Sequence, residues 1–474
     1  MKVVLVNTPY MEMYGPIKTA VGAYFPLGLG YIAAVLREGG HEVKLLDPEA
    51  ERINLKAMGD ILERENPDLV GIGCATPNFF IAQKIARMAK ERTKAMVSIG
   101  GVHVSAMPEE TLRECKDFDF VIVGEGEYTM LDIADGKDPA SIKGLVHRKG
   151  GRVVSNPQRP WITDVDSIPF PARDLVDLNL YKPSVYVDIG RKSATMITSR
   201  GCPSMCTFCA SHLTLGRGFR PHSPEYVIRE MEHLVRDYGV KHLVIQDDTF
   251  TLDKERAKRI CRLMIERKLN VSWYCFSRVN GVSRDLVSVM KKAGCYSIGY
   301  GVESASEEVL RNIKKGITPD QVRKAFRITR DFNIRILAFF MFGNPGDTRK
   351  TIEETIRFAK ELKPELAFFN LLVPYPGTEI YDNLDKYGFT LCGGLESFVA
   401  IGPHGVVNRK GLSHNDLQRY VSRANKEFYI RPLHLFRLLK TIRTPAQFFI
   451  YLRGGMGLFM QMMAWESGEK KDSG

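Results

Sequence analysis

The spacing of apolar and polar positions changes along this chain, and the changes divide it. Over residues 1–135, short β-branched apolar runs at 2–6, 42–46, 69–73, 95–99 and 119–123 alternate with stretches of helical spacing such as 27–38 and 79–92. Strands that are apolar at nearly every position and separated by helices predict a parallel sheet covered on both faces. The expectation for 1–135 is an α/β, doubly wound, Rossmann-like domain with ligands at the carboxyl ends of its strands. Residues 136–190 lose the periodicity and carry Pro157, Pro160, Pro169, Pro171 and Pro183, which predicts a linker over the surface. A second series follows, with strands predicted at 194–199, 242–246, 271–276, 296–301, 335–342 and 366–371. Helical spacing separates them at 225–238, 254–266, 284–292, 319–331 and 348–361. Six βα units in residues 191–390 are too few for a closed eight-fold barrel and predict a partial (βα)6 barrel. Residues 391–474 lose the strand pattern and predict a small helical region that caps the barrel and meets substrate.

Composition narrows the class. With 474 residues, 44% hydrophobic and 26% charged, the chain is an ordinary globular protein of several domains. No stretch approaches the roughly 20 apolar residues of a spanning helix. The opening MKVVLVNTPY has no secretory apolar region, so a cytoplasmic protein is expected. Nine cysteines in such a protein predict reduced thiols, some of them metal ligands. The net charge of +12 permits an anionic surface or ligand, or is simply a basic exterior. Between 431 and 453, Arg431, Arg437, Lys440, Arg443 and Arg453 alternate with apolar residues and no acid. That segment is expected to cap the barrel, with peripheral contact at a membrane interface as the alternative.

Cys202, Cys206 and Cys209 form C-x3-C-x2-C directly after the first strand of the second series. Three thiolates on a cubane iron–sulfur cluster leave one iron open. A structural zinc site would need a fourth ligand, usually from a second short pair, and none is present. Cysteines 74, 115, 261, 275, 295 and 392 are scattered and read as small buried hydrophobes. Polar motifs recur at later strand ends: Gln246-Asp247-Asp248, Ser277-Arg278, Gly301-Val302-Glu303-Ser304, Gly343-Asn344-Pro345-Gly346-Asp347 and Pro374-Tyr375-Pro376-Gly377-Thr378.

The cysteine triplet, with Phe208 before its last member and these motifs in order, resembles the radical S-adenosylmethionine superfamily over residues 191–385. The resemblance implies a 4Fe-4S cluster on Cys202, Cys206 and Cys209 whose open iron chelates S-adenosylmethionine. It implies that Phe208, Asp247, Arg278 and Glu303 contact that cofactor. One electron, from a donor such as flavodoxin or ferredoxin, would then generate a 5′-deoxyadenosyl radical.

The first domain presents loops Asn7-Thr8-Pro9-Tyr10, Cys74-Ala75-Thr76-Pro77, Gly100-Gly101-Val102-His103 and Gly124-Glu125-Gly126-Glu127 at strand ends, and no G-x-G-x-x-G. Ahead of a radical domain, the Gly100-Gly101 turn and the run at 123–127 make it similar to the cobalamin-binding domain of the cobalamin-dependent radical class. That implies cobalamin contacts from Thr8, Tyr10, Thr76, Gly100, Gly101, Gly124 and Glu125, with the 10–17 loop beneath the corrin. Neither His41 nor His103 sits in Asp-x-His-x-x-Gly, so a cobalamin without a histidine ligand is expected, with His103 as the alternative.

The resemblance implies a methyltransferase acting on an unactivated carbon of a small hydrophobic molecule, a lipid or tetrapyrrole. A ring-forming cyclase or carbon–carbon coupling enzyme on the same substrates is the alternative. A methylthiotransferase would carry further cluster cysteines before the triplet, where only Cys74 and Cys115 occur, so no nucleic-acid partner is expected. A non-catalytic metal or cobalamin sensor would not need ordered polar motifs at successive strand ends.

Overall fold

The computed structural model describes the chain except residues 12, 15–17, 185–186, 188–189, 400–406, 410, 433–447, 450–451, 453–454 and 457–474. The first sheet contains β1 (Lys2–Asn7), β2 (Glu42–Leu46), β3 (Leu69–Gly73), β4 (Met96–Gly100), β5 (Phe120–Ile122), β6 (Leu145–Lys149) and β7 (Arg152–Ser155). Its order is β2-β1-β3-β4-β5-β6-β7, parallel through β5 and antiparallel beyond. Alternation along β1 explains the two covered faces. Val4 and Val6 pack into one core with the helix Phe79–Arg92, and Val3 and Leu5 into another with Leu27–Glu38.

The β6–β7 hairpin falls inside the stretch expected to be a linker. Its two-residue turn, Gly150-Gly151, has positive φ at both positions, the geometry a tight hairpin requires. Residues beyond it do cross between domains. Ala172 N–H donates to Gly30 O on the first domain, and Arg173 donates to Thr195 O on the second.

The barrel sheet is formed by β8 (Ser193–Met196), β11 (His242–Ile245), β12 (Ser272–Ser277), β13 (Cys295–Glu303), β14 (Arg335–Phe342) and β15 (Leu366–Leu371). All five pairings are parallel, and β8 and β15 stand at opposite edges, so the six-unit barrel is open. Between β8 and β11 lies a small antiparallel ribbon, β9 (Ser199–Arg200) with β10 (Arg220–Pro221). On the barrel strands the period of two again sorts the residues. Trp273, Cys275, Ile336, Ala338 and Phe340 face the helices, whereas Tyr274, Phe276, Leu337 and Phe339 form a separate cluster on the other face. The helices begin at side-chain caps such as Ser223, Asp253, Thr318 and Thr348, which satisfy first-turn N–H groups.

The C-terminal region also departs from expectation. A hairpin, β16 (Phe389–Leu391) with β17 (Val407–Arg409), precedes the helix His414–Tyr429, which packs on β15 through Tyr429 and Ala367. Most of the basic 431–453 segment lies outside the described residues. Among the described residues, no helix is long and apolar enough to cross a membrane.

The crossing segment is fastened by an ion pair between Arg173 and Glu230, 2.8 Å apart with both side chains 0% exposed. Removing one member strands a buried charge. Glu230→Ala is expected to destabilise the protein by about 3–5 kcal/mol, seen as a lowered melting temperature. Adding Arg173→Met should recover most of that loss. An unchanged melting temperature in Glu230→Ala would contradict the assignment.

Candidate active site

Cys202, Cys206 and Cys209 lie on a loop, residues 201–219, whose two ends are joined by the β9–β10 ribbon. Gly201 opens it with φ of +81°, and a Cβ there would stand 2.1 Å from Gly218 O, so the stem closes only around glycine. Cys206 is buried, and Cys202 and Cys209 are half-buried. All three line one cavity of about 370 Å³ together with residues from the carboxyl ends of β11, β12 and β13. Backbone bonds fix the loop: Thr207 N–H donates to Ile313 O at 3.1 Å, and Ile380 N–H donates to Thr207 O at 3.1 Å. No group of three or more His, Cys, Asp or Glu among the described residues converges on one metal ion. Thiolates of an iron–sulfur cluster each bind a different iron, so a cluster triad has no such common point. Burial pushes the Cys209 thiol up to about 11, and loading a metal there must displace its proton. Arg278 donates to Cys206 Sγ at 3.7 Å and places a positive charge beside the thiols.

The expected S-adenosylmethionine residues all line this cavity, in different states. Asp247 is fully buried, and its carboxylate accepts from Thr198 N–H, Thr198 Oγ1 at 2.6 Å and Ser199 Oγ at 2.7 Å. It therefore ties β11 to the residues leading into Cys202. The Asp248 carboxylate beside it accepts from Ser211 Oγ at 2.5 Å, and burial raises its pKa. Glu303 sits at φ of +63° beyond a register shift in β13 and pairs with Lys315 Nζ at 2.6 Å. A Cβ at Gly301 would stand 2.6 Å from both charged ends, so glycine makes room for the pair. Lys315 also lies 5.7 Å over the Phe208 ring, and its carbonyl accepts from Arg278. Sequence reasoning missed Lys315; the signal available was Lys314-Lys315-Gly316, twelve residues past Glu303. The Gly343–Asp347 and Pro374–Thr378 turns are not among the cavity's lining residues. In the first of them Asp347 closes its own turn, accepting from Asn344 N–H at 2.8 Å and Thr351 Oγ1 at 2.9 Å, and burial pushes its carboxyl up to about 6.

A second cavity, of about 580 Å³, opens at the strand ends of the first sheet. Of the residues expected at cobalamin, Thr8, Tyr10, Gly100, Gly101, Gly124 and Glu125 line it. It also reaches down between sheet and helix to Leu5, Gly71, Ser98 and Met130. A Cβ at Gly71 would stand 2.6 Å from Met130 Cε and 2.8 Å from Leu5 Cδ2, and one at Gly101 2.1 Å from Cys74 O. Among the described residues, Thr8 Oγ1 and Tyr31 OH, both on lining residues, are buried and have no hydrogen-bond partner. A deep slot with glycine walls and two unsatisfied hydroxyls fits a large ligand carrying polar groups, as cobalamin does.

Two of the expected residues stand differently. Thr76 is buried but not among the lining residues, and Glu125 lines the cavity with its carboxylate already committed to Arg200, Arg220 and Ile162 N–H. His103 is buried on a short helix, 4.3 Å from the Phe79 ring, and burial pushes it down to about 4. His41 is bonded to the N-terminal amine and Asp135. Neither histidine is among the cavity's described lining residues, and of the 10–17 loop Tyr10, Met13 and Tyr14 are.

Comparison with known proteins agrees with this geometry. Residues 196–359 match the radical SAM superfamily model, and residues 15–134 match the B12 binding domain. The chain is 37% identical to an uncharacterized methyltransferase, PH0819, of Pyrococcus horikoshii over 92% of its own length and 94% of that protein. It is 28% identical to the anaerobic magnesium-protoporphyrin IX monomethyl ester cyclase of Cereibacter sphaeroides, over 91% of this chain and 71% of that one. Its fold matches the radical S-adenosylmethionine methyltransferase TsrM of Kitasatospora setae, solved with cobalamin and a [4Fe-4S] cluster. The TM-score is 0.71 at 20% identity, over 91% of this chain and 89% of that one. The chain belongs to the cobalamin-dependent radical S-adenosylmethionine enzymes, which use a 4Fe-4S cluster, S-adenosylmethionine and cobalamin.

Proposed function

We propose that the enzyme methylates an unactivated carbon of a small, largely hydrophobic substrate of lipid or tetrapyrrole type. One observation carries this reading: the two cavities share a wall. His212 and Arg217 of the cluster loop line the smaller cavity, and Thr214 and Leu215 line the larger. Reagents held on the two sides of so short a segment, the helix His212–Leu215, are presented to one substrate space. When bound, the cluster supplies the electron that cleaves S-adenosylmethionine, and cobalamin supplies the methyl group.

The protein's share is positioning. Glu303 and Lys315 form a ready-made acceptor for a zwitterion: the carboxylate takes an α-ammonium, the ammonium an α-carboxylate. Arg278 holds the Lys315 carbonyl and Cys206 together, so the Glu303–Lys315 pair would hold the amino-acid end of S-adenosylmethionine beside the cysteine triplet. Phe276 and Phe339 line the same cavity from the barrel strands and keep it dry on that side. In the larger cavity, Thr8 and Tyr10 would hold cobalamin from the first strand end, and Gly100, Gly101 and Gly124 would let the backbone approach it. An electron donor of the flavodoxin or ferredoxin kind is part of this proposal. The relative from Pyrococcus carries a methyltransferase name, which supports methyl transfer; the cyclase from Cereibacter supports ring formation as the second reading.

Anaerobic reconstitution with iron, sulfide and hydroxocobalamin should give about four irons and one cobalt per chain. Iron without cobalt would contradict the methyl-transfer chemistry. With candidate lipids and tetrapyrroles, methylation is read as a product heavier by one methylene, and cyclisation as one lighter by lost hydrogens. Lys315→Met should weaken S-adenosylmethionine binding by about 10–100-fold, the loss expected for one charge-assisted bond, while iron content stays unchanged. An unaltered dissociation constant would remove Lys315 from the site.

A further inference from the structure

The Gly124–Glu127 loop of the cobalamin cavity and the stem of the cluster loop meet in a buried ion network. Arg200 and Arg220 face each other across the β9–β10 ribbon, so all three cluster cysteines lie between them in sequence. Arg200 reaches Glu125 at 2.9 Å and Glu127 at 2.8 Å, and Arg220 reaches the same Glu125 at 2.8 Å. The side chains of Arg200, Glu125, Glu127 and Arg220 are 2%, 5%, 6% and 10% exposed. Aromatic rings cover the guanidinium groups: Tyr31 lies 5.0 Å from Arg200 and Trp161 5.4 Å from Arg220. Arg220 also donates to Leu215 O at 2.6 Å, on the wall between the cavities.

Nothing in the zwitterion site or in the methyl-transfer chemistry calls for this network. Burying four charges is costly unless every one is paired, and losing a single partner leaves an uncompensated charge. The network is therefore made or broken as a unit. Glu125, Glu127 and Arg200 line the larger cavity, so the cavity is the side from which water reaches them. A ligand that fills it excludes that water and strengthens each attraction. The result is transmitted to the two residues that fix the base of the cluster loop.

We propose that Glu125 and Glu127 are positioning residues that latch the cluster loop to the cobalamin cavity, so that cobalamin and S-adenosylmethionine each tighten the binding of the other. This rests on the cofactor assignment above. The advantage is order: S-adenosylmethionine is held firmly for cleavage only when the methyl donor is in place. Linkage requires the factor to be the same in both directions.

The test uses the full chain with its cluster oxidised, so that S-adenosylmethionine binds without reacting. Equilibrium dialysis measures the hydroxocobalamin dissociation constant with and without S-adenosylmethionine, and the converse. Wild-type protein should show a gain of about tenfold in both titrations. Glu127→Gln should bring that factor to within about twofold of one, with iron content and both ligands retained. Arg200→Lys keeps the charge but not the two-pronged reach, and should retain part of the factor. If Glu127→Gln does not fold, Trp161→Leu loosens Arg220 without removing a charge and should give the same loss. A wild-type factor of one, or a full factor in Glu127→Gln, would overturn the latch. A wild-type chain that binds iron but no cobalamin would overturn the cofactor assignment beneath it, and the latch with it.

Discussion

Fixing the ends of a loop that carries three thiols lowers the entropy lost when they converge on one cluster, because an unconstrained loop spreads its cysteines over many arrangements. Here the constraint is applied at the residues just before Cys202. Asp247 takes the N–H and hydroxyl of Thr198 and the hydroxyl of Ser199, while Arg256 donates to Thr198 O and to His222 O on the returning side. Gly201 turns the chain where no other residue fits. A buried carboxylate whose acceptor sites are taken by local donors is a rigid fixture, and it stands at the end of a barrel strand, where the scaffold is stiffest.

From that stem the rest of the site follows by strand period. The barrel strands give one face to the helices and turn Phe276 and Phe339 to the other, and at their carboxyl ends the polar residues begin. Gly301 and the left-handed Glu303 then bring a carboxylate against Lys315 across the same cavity. The positive φ at Glu303 is local strain of the kind found at functional sites, and it coincides with the register shift in β13 and with the pair to Lys315. The first domain repeats the principle with glycine in place of charge, opening a slot by omitting side chains at Gly71 and Gly101.

Much of this could be read from the chain because it depends on local pattern. Strand runs such as 69–73 and 335–342 needed only near-continuous apolar residues, and the cysteine triplet announced itself by spacing. The β6–β7 hairpin was also legible in principle, through Gly150-Gly151 between short apolar runs, but proline on its far side masked it. What could not be read were contacts made by tertiary approach. Glu125 is 75 residues from Arg200 and 95 from Arg220, and nothing in the glycine-rich run around it distinguishes a cofactor ligand from half of an ion pair. Asp247 is the same case in reverse: its place at a strand end suggested a cofactor contact, and its nearest donors turned out to be the cluster stem.

The most direct test of the account is anomalous X-ray diffraction from crystals of the reconstituted enzyme, recorded at the iron and cobalt absorption edges. One iron peak is expected among Cys202, Cys206 and Cys209 and one cobalt peak in the cavity bounded by Thr8, Gly101 and Gly124, on opposite sides of the His212–Leu215 helix. Cobalt outside that cavity, or iron away from those three thiols, would contradict it.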